Sequence, residues 1–413
     1  MREMQDSGLI WLGKIPTGWS LTKIGGLYAI RNEKVSDKDF PPLSVTNKGI
    51  LPQLETAAKT NDGDNRKLVR IGDFAINSRS DRRGSCGISP YNGSVSLINI
   101  VMMPRKEMIP TYYEWLFHTT QFGDENYRWG HGIVDDLWTT GWQEMKKITI
   151  PMPPLDEQRR IADYLDAKCA EIDVLTADIQ TQIDTLEQYK RSVITEAVTK
   201  GLEPDVEMKD SGIQWIGSMP AHWNCIRGKY VLKYIQKPVR EDDGVITCFR
   251  DGEVTLRSNR REDGFTMADK EIGYQGIDVG DLVVHGMDGF AGAIGISDSR
   301  GKASPVLNVL DTEQSKRYIM YFLRSMAYSD VFLALATGIR VRSCDLRWNK
   351  LSELFYPVPP LEEQEAIVDY IDSVLRRTDE VIAAKREQLS TLEAYKKSLI
   401  YEYVTGKKEV PAQ

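Results

Sequence analysis

The stretch PPLDEQRRIADYLDAK, Pro153–Lys168, returns 206 residues later as PPLEEQEAIVDYIDSV, Pro359–Val374. Between residues 151–200 and 357–406, 23 of 50 positions are identical. The matches include Pro154/Pro360, Leu155/Leu361, Glu157/Glu363, Gln158/Gln364, Tyr164/Tyr370 and Lys190/Lys396. A long interval of this kind means that one structural unit is used twice. Three weaker pairs keep the same order. MQDSGLIWLGKIPTGW from Met4 matches MKDSGIQWIGSMPAHW from Met208, and GDFAINSRSDRRGSCGIS from Gly72 matches GDLVVHGMDGFAGAIGIS from Gly280. Gly132, Ile133 and Trp142 pair with Gly338, Ile339 and Trp348. The first block runs on into VTKGLEPDVEMKDSGIQWIG, while VTGKKEVPAQ follows the second. The opening MREMQDSGLIWLG is what that second tail would have continued into, so the repeat reads as a cut circle with a pseudo-two-fold axis. The two ends of the sequence are expected to lie close together.

Inside the blocks, apolar residues recur at 3–4 spacing: Ile161, Leu165, Ile172, Leu175, Ile179, Ile183, Leu186 and Val193, then Ile367, Ile371, Val374, Val381, Leu389, Leu392 and Leu399. That period predicts long helices with one narrow seam. Proline pairs mark their starts, and Gly201 and Gly406 their ends. A helix with one narrow stripe needs a partner, and the copy supplies it, so the expected stalk is an antiparallel coiled coil. The remaining segments carry short β-type runs such as LVRIGDFAI and GDLVVHG, broken by glycine and polar turns. The resulting reading is mixed α/β (α+β): globular domains at 1–150 and 206–356, helical spacers at 151–205 and 357–413.

The 413 residues carry a net charge of −7. By segment the charge is +2 over 1–150, −6 over 151–205, zero over 206–356 and −3 over 357–413. The acid therefore sits on the helices. Basic residues cluster in the globular domains, as RSDRRG at 79–84, RSNRR at 257–261 and RVRSCDLRW at 340–348. Such clusters are the footprint of a phosphate-binding face. The loop after GDF carries Asn77, Arg79, Asp81, Arg82 and Arg83, where the matching loop carries His285, Met287, Asp288, Phe290 and Ala291. A constant frame with changing loop contents suits a scaffold that reads two different targets.

Five scattered cysteines without a CxxC pair suit a reducing, cytoplasmic setting, and no apolar run reaches the length of a membrane span. The four histidines lack metal-ligand spacing. There is no GxxxxGK[ST], GxGxxG, HExxH or GxSxG. PDVEMK at 204–209 is too compact for a nuclease metal site on a strand pair.

The doubled PPLxEQ block, the Y-K-x-S-[VL]-I runs at 189–194 and 395–400, and SGxxWxGxxPxxW opening each half resemble the specificity (S, HsdS) subunits of Type I restriction–modification systems. The resemblance covers essentially the whole chain. It implies a non-catalytic subunit serving bacterial defence, whose two target-recognition domains each read half of a bipartite duplex. It also implies helices that set the half-site spacing and two modification subunits docked beside them. Restriction (translocase) subunits would complete the complex. S-adenosylmethionine, ATP and Mg would be held by those partners, for adenine-N6 methylation and ATP-dependent cleavage, with no cofactor or metal in this chain. Candidate DNA contacts are Asn77, Arg79, Arg82 and Arg83 in the first domain. In the second they are Arg250, Arg257, Arg260, Arg261, His285, Lys302, Arg340, Arg342 and Arg347. Candidate contacts to the modification subunits are Pro154, Leu155, Glu157, Gln158 and Tyr164, with Pro360, Leu361, Glu363, Gln364 and Tyr370. The competing reading is a coiled-coil adaptor with protein- or sugar-binding heads.

Overall fold

The computed structural model describes residues 2–53, 63–79, 82–132, 138–260, 272–334 and 346–411. Arg261, Arg340 and Arg342 lie outside the described residues, as do Ile133, Gly338 and Ile339 of the faint repeat. The chain divides into two compact units, Met1–Ile179 with Arg386–Gln413, and Gln180–Lys385. The division falls within the helical spacers, so each unit holds one globular domain and half of each long helix.

The first unit is built on an antiparallel sheet of β1 (Tyr28–Ile30), β2 (Phe74–Asn77), β3 (Cys86–Ile88) and β4 (Asn99–Pro104), in the order β3–β2–β4–β1. Helix α1 (Pro110–Phe117) packs on it through an aromatic cluster of Tyr28, Phe74, Tyr113 and Phe117. The long helix α2 spans Leu155–Lys200, and its residues up to Ile179 belong to this unit.

The second unit repeats the plan with β5 (Lys233–Ile235), β6 (Leu282–His285), β7 (Ile294–Ile296) and β8 (Leu307–Asp311), in the order β7–β6–β8–β5. Helix α3 (Lys316–Tyr328) stands where α1 stands, and α4 (Leu361–Val404) is the second long helix. Register is conserved between the copies. Ala75 pairs with Val101 as Val283 pairs with Val309.

The faint GDF/GDL repeat has a structural cause. Gly72 and Gly280 take φ of 87° and 84°, a left-handed turn that glycine enters without a Cβ clash. The next residues, Asp73 and Asp281, are buried, and each accepts a turn N–H, from Arg70 at 2.8 Å and from Asp278 at 2.8 Å. Arg31 and Lys237 neutralise those buried carboxylates, at 2.7 and 2.6 Å. A buried charge is tolerated only when paired in this way.

Within each unit the two long helices run antiparallel. In the first, Tyr164 stacks with Tyr403 at 4.6 Å and Lys396 reaches Asp173 at 2.5 Å. In the second, Lys190 reaches Asp379 at 2.6 Å and Lys385 donates to Gln182 at 2.5 Å. The seam departs from the sequence reading in two places. Leu175 and Val381 are each 45% exposed. Thr378 and Ile382 fill the seam beside Val381 instead, and the Thr378 hydroxyl is satisfied by the Val374 carbonyl. A 3.5-residue template drifts by about 20° per heptad on a straight helix, which carries such mid-helix positions off the interface. Both ends of the described chain sit in the first unit, where Lys407 donates to the Leu12 carbonyl at 3.0 Å and Tyr401 to that of Trp11 at 2.9 Å. No described helix is long and apolar enough to cross a membrane.

Candidate nucleic-acid interface and helix junctions

Each unit closes around one buried tryptophan. The Trp19 indole donates to Glu157 at 2.8 Å, in the first turn of α2, while Gly406 beyond the end of α4 lies against Pro16 and Trp19. The second unit matches this: Trp223 donates to Glu363 at 3.0 Å, and Gly201 lies against Trp223 and Pro220. The two glycines take φ of 69° and 74°, so any side chain there would be strained as well as crowded. Tyr112 and Tyr318 then donate to the terminal helix carbonyls of Val404 and Val198, at 2.7 and 3.0 Å. The PxxW motif thus joins the first turn of one helix to the last turn of the other, once per unit. Burial alone would raise the Glu157 carboxyl. Hydrogen bonds from Arg2 and Trp19 outweigh that and hold it below the usual carboxylate range.

Gln158 and Gln364 connect each long helix to the neighbouring short one. Gln158 is buried; it accepts from Ile109 N–H at 3.0 Å and donates to the Pro153 carbonyl at 2.8 Å. Gln364 is buried and accepts from Ser315 N–H at 2.9 Å; it donates to Pro359 and Gln314. Ile109 and Ser315 are the N-cap residues of α1 and α3. These two glutamines therefore face the inside of their own unit. Glu157 and Glu363 are half-buried on the tryptophans; Leu155 is also half-buried, and so is Tyr164, against Tyr403. Pro154 and Pro360 are exposed, with Leu361 at 54% and Tyr370 at 43%. Tyr189 and Tyr395 also face outward, at 49% and 52%. The repeated Y-K pair marks these two positions in the sequence.

In the first unit, the loop after β2 meets the segment that precedes the Trp142 turn. Thr140 N–H donates to the Ser78 carbonyl at 3.0 Å, and Arg79 bridges to Thr139. Asn77 ends β2 and accepts from Arg79 N–H. Arg79, Arg82 and Arg83 are exposed along this edge. The Arg83 guanidinium lies 4.2 Å from the Tyr127 ring centroid and 3.1 Å from Asp124. Trp138 packs beside Tyr127 at 5.4 Å, and the buried Asn126 Oδ1 has no partner among the described residues. Asn77, Arg79, Arg83, Asn126, Tyr127 and Trp138 line one concavity here.

The second unit uses the same edge with different residues. Leu346 N–H donates to the Gly286 carbonyl at 2.8 Å, which sets Arg347 beside the loop after β6. His285 ends β6 as Asn77 ends β2. Its Nδ1 accepts from the Met287 and Asp288 N–H groups, and burial lowers its pKa, so the ring is neutral near pH 7. Arg250 reaches that loop through Asp288 at 2.9 Å. Arg260 lies 4.2 Å from the Phe249 ring centroid and pairs with Asp251 at 2.5 Å and Glu253 at 3.2 Å. Arg257 and Lys302 lie elsewhere, where their N–H groups donate to the carbonyls of Val245 and Gly244, each at 2.8 Å. Burial raises the Cys169 thiol to about 11 and the Cys248 thiol to about 12, so both are inert near neutrality. Among the described residues, no group of three or more His, Cys, Asp or Glu is placed to hold a metal.

Residues 16–185 match the family model of the Type I restriction modification DNA specificity domain. In that stretch and in its relatives the chain is similar to Type I specificity subunits. A Methanocaldococcus jannaschii protein named as the type I restriction enzyme MjaX specificity subunit is 22% identical, over 96% of this chain and 95% of that one. A chain solved in work on complex assembly and conformational transition of the type I R-M system has the same fold, with a TM-score of 0.68 at 16% identity. It matches over 95% of this chain and 99% of its own length. The HsdS subunit from Thermoanaerobacter tengcongensis gives 0.53 at 16% identity, over 95% and 98%.

Proposed function

We propose that this chain is a specificity subunit that reads duplex DNA through its two sheet domains, residues 1–150 and 206–356, each taking one half of a bipartite target. One observation carries the reading. The edge formed by the loop after β2 or β6 and the segment before Trp142 or Trp348 is built twice on the same backbone plan, with different side chains each time. Arginine and asparagine are the side chains that read guanine and adenine edges in the major groove. The long helices set the half-site spacing. Two modification subunits dock beside them, one per unit, with exposed Pro154, Pro360, Leu361 and Tyr370 as the contact candidates. Restriction subunits join that complex in the cytoplasm. The partners hold S-adenosylmethionine, ATP and Mg and supply adenine-N6 methylation and ATP-dependent cleavage; this chain binds DNA and catalyses nothing.

Duplex binding across a salt series tests this. The affinity of the purified chain should fall linearly in log–log form, by about 0.9 in slope per phosphate neutralised. Replacing Arg79, Arg82 and Arg83 by alanine should weaken binding and flatten that slope by up to about 3. Salt-insensitive binding, or a triple variant identical to the parent, would count against a DNA face here. It would favour an adaptor with protein- or sugar-binding heads.

A further inference from the structure

Three arginines on the two recognition edges are held by acids of their own unit. Arg83 is paired with Asp124, Arg250 with Asp288, and Arg260 with Asp251 and Glu253. Every one of these groups is solvent-accessible; Arg83 is 48% exposed and Asp124 63%. An exposed pair of this kind adds little to folding. Exposed pairs occur elsewhere too, as Arg227 with Glu353 and Lys233 with Glu313; what sets these three apart is that they tie up arginines of the recognition edges. In two of the three cases the guanidinium also lies 4.2 Å from an aromatic ring centroid, Tyr127 for Arg83 and Phe249 for Arg260. A flat cation on a ring face, with a carboxylate beside it, is fixed in position and shielded from phosphate. The acids also account for the near-neutral balance of domains that carry basic clusters, +2 and zero.

We infer that Asp124 and Asp288 are specificity-determining carboxylates: each holds its arginine back from non-target DNA and gives it up only where base contacts repay the exchange. The inference rests on the DNA reading given above. Any phosphate can take a free arginine, whereas a paired one must first lose its carboxylate. That cost is the same on every sequence, and only a site that adds base contacts recovers it. The acids thus lower the non-specific background more than the specific complex. Asp124 and Asp288 are named because neither side chain accepts a backbone N–H among the described residues: Asp288 has only His285 Nε2 as a further neighbour, at 4.0 Å, while Asp251 also accepts the Glu253 N–H and its carbonyl takes Arg324.

The test is a double-mutant cycle on the full chain, with a fluorescent random-sequence duplex as probe. Asp124→Asn should tighten binding to that duplex by about 2- to 5-fold, the range an exposed ion pair carries. Combined with Asp288→Asn the effect should grow and the salt slope should steepen. In an Arg83→Ala background Asp124→Asn should do nothing, because the carboxylate acts through that arginine. Glu313→Gln is the charge control. It frees Lys233 from a 2.8 Å pair outside the basic clusters and should leave binding unchanged. Equal tightening by Glu313→Gln, or by Asp124→Asn with and without Arg83, would reduce the effect to net charge and overturn the inference. Unaltered binding in the two Asp→Asn variants would overturn it too, while leaving DNA recognition standing. A parent chain without salt-dependent duplex affinity would overturn the DNA reading itself, and this inference with it.

Discussion

At the scale of single residues, the PPLxEQ motif separates into parts with different duties. The glutamate holds a tryptophan, the glutamine holds the cap of the neighbouring helix, and the second proline of each copy, with Leu361, remains outside. A motif written twice reads as a contact made twice, and from the sequence the glutamate and glutamine suit either a partner surface or a cap of the first helical turn. Nothing in the sequence says that Gln364 would be fully buried with every polar atom occupied. The consequence is measurable. Gln364→Ala leaves the Ser315 N–H and the Pro359 carbonyl without their partner, and Gln158→Ala does the same to Ile109 and Pro153. An unsatisfied buried group costs about 1–3 kcal/mol. Each variant should therefore lose that much stability in chemical denaturation. Truncation of Leu361, which is 54% exposed, should cost little. If Gln364→Ala and Leu361→Ala are equally mild, the buried glutamine is not a structural link.

At the scale of elements, the helices and their partnership were legible, since a seam sustained over several heptads admits few alternatives. The strand order was not. Four-residue strands carry too little pattern to fix their neighbours, and the GD repeat showed only that two turns were alike. Asp288 stood in the loop after GDL, but its pairing with Arg250, 38 residues away, and that of Asp124 with Arg83, 41 residues away, could not be read from the sequence. What the seam did not show is how the helices keep register where it thins, around Leu175 and Val381. Reciprocal ion pairs lie on either side of that region. Lys396 meets Asp173 in the first unit, and Lys190 meets Asp379 in the second. The four residues are two pairs of equivalents at the 206-residue interval. Part-exposed pairs contribute at most about 1 kcal/mol, so their use is to disfavour shifted alignments. Lys190→Glu sets like charges against Asp379 and Glu187. It should lower the denaturation midpoint, and Asp379→Lys in the same chain should restore most of the loss. A double variant as weak as the single one would mean that these residues do not face each other.

At the scale of the whole molecule, the proposal is that the helices measure distance on DNA, and it makes a prediction that neither recognition domain can imitate. The measuring element must be lengthened without disturbing its ends. Both ends are committed: Gly201 and Gly406 lie against tryptophans, and the carbonyls of Val198 and Val404 are taken by tyrosines. An insertion near Ala197, itself buried, would break that junction. The tolerant place is mid-helix, where Val174 and Leu175 are exposed. Because the two helices face each other there, the insertion must be made in both, after Asp178 in α2 and at the facing turn near Leu389 in α4. Four residues add about one turn, or roughly 6 Å. Duplex DNA rises about 3.4 Å per base pair, so the gap between half-sites should grow by one or two base pairs. The inserted turn overshoots 3.6 residues and rotates the helix by about 40°. DNA turns by about 35° for each added pair, which absorbs part of that misfit. The measurement is methylome mapping of parent and variant in one host with the same modification subunits. Unchanged half-sites at a wider spacing are expected. Active methylation with altered half-sites at the old spacing would show that the distance is set elsewhere.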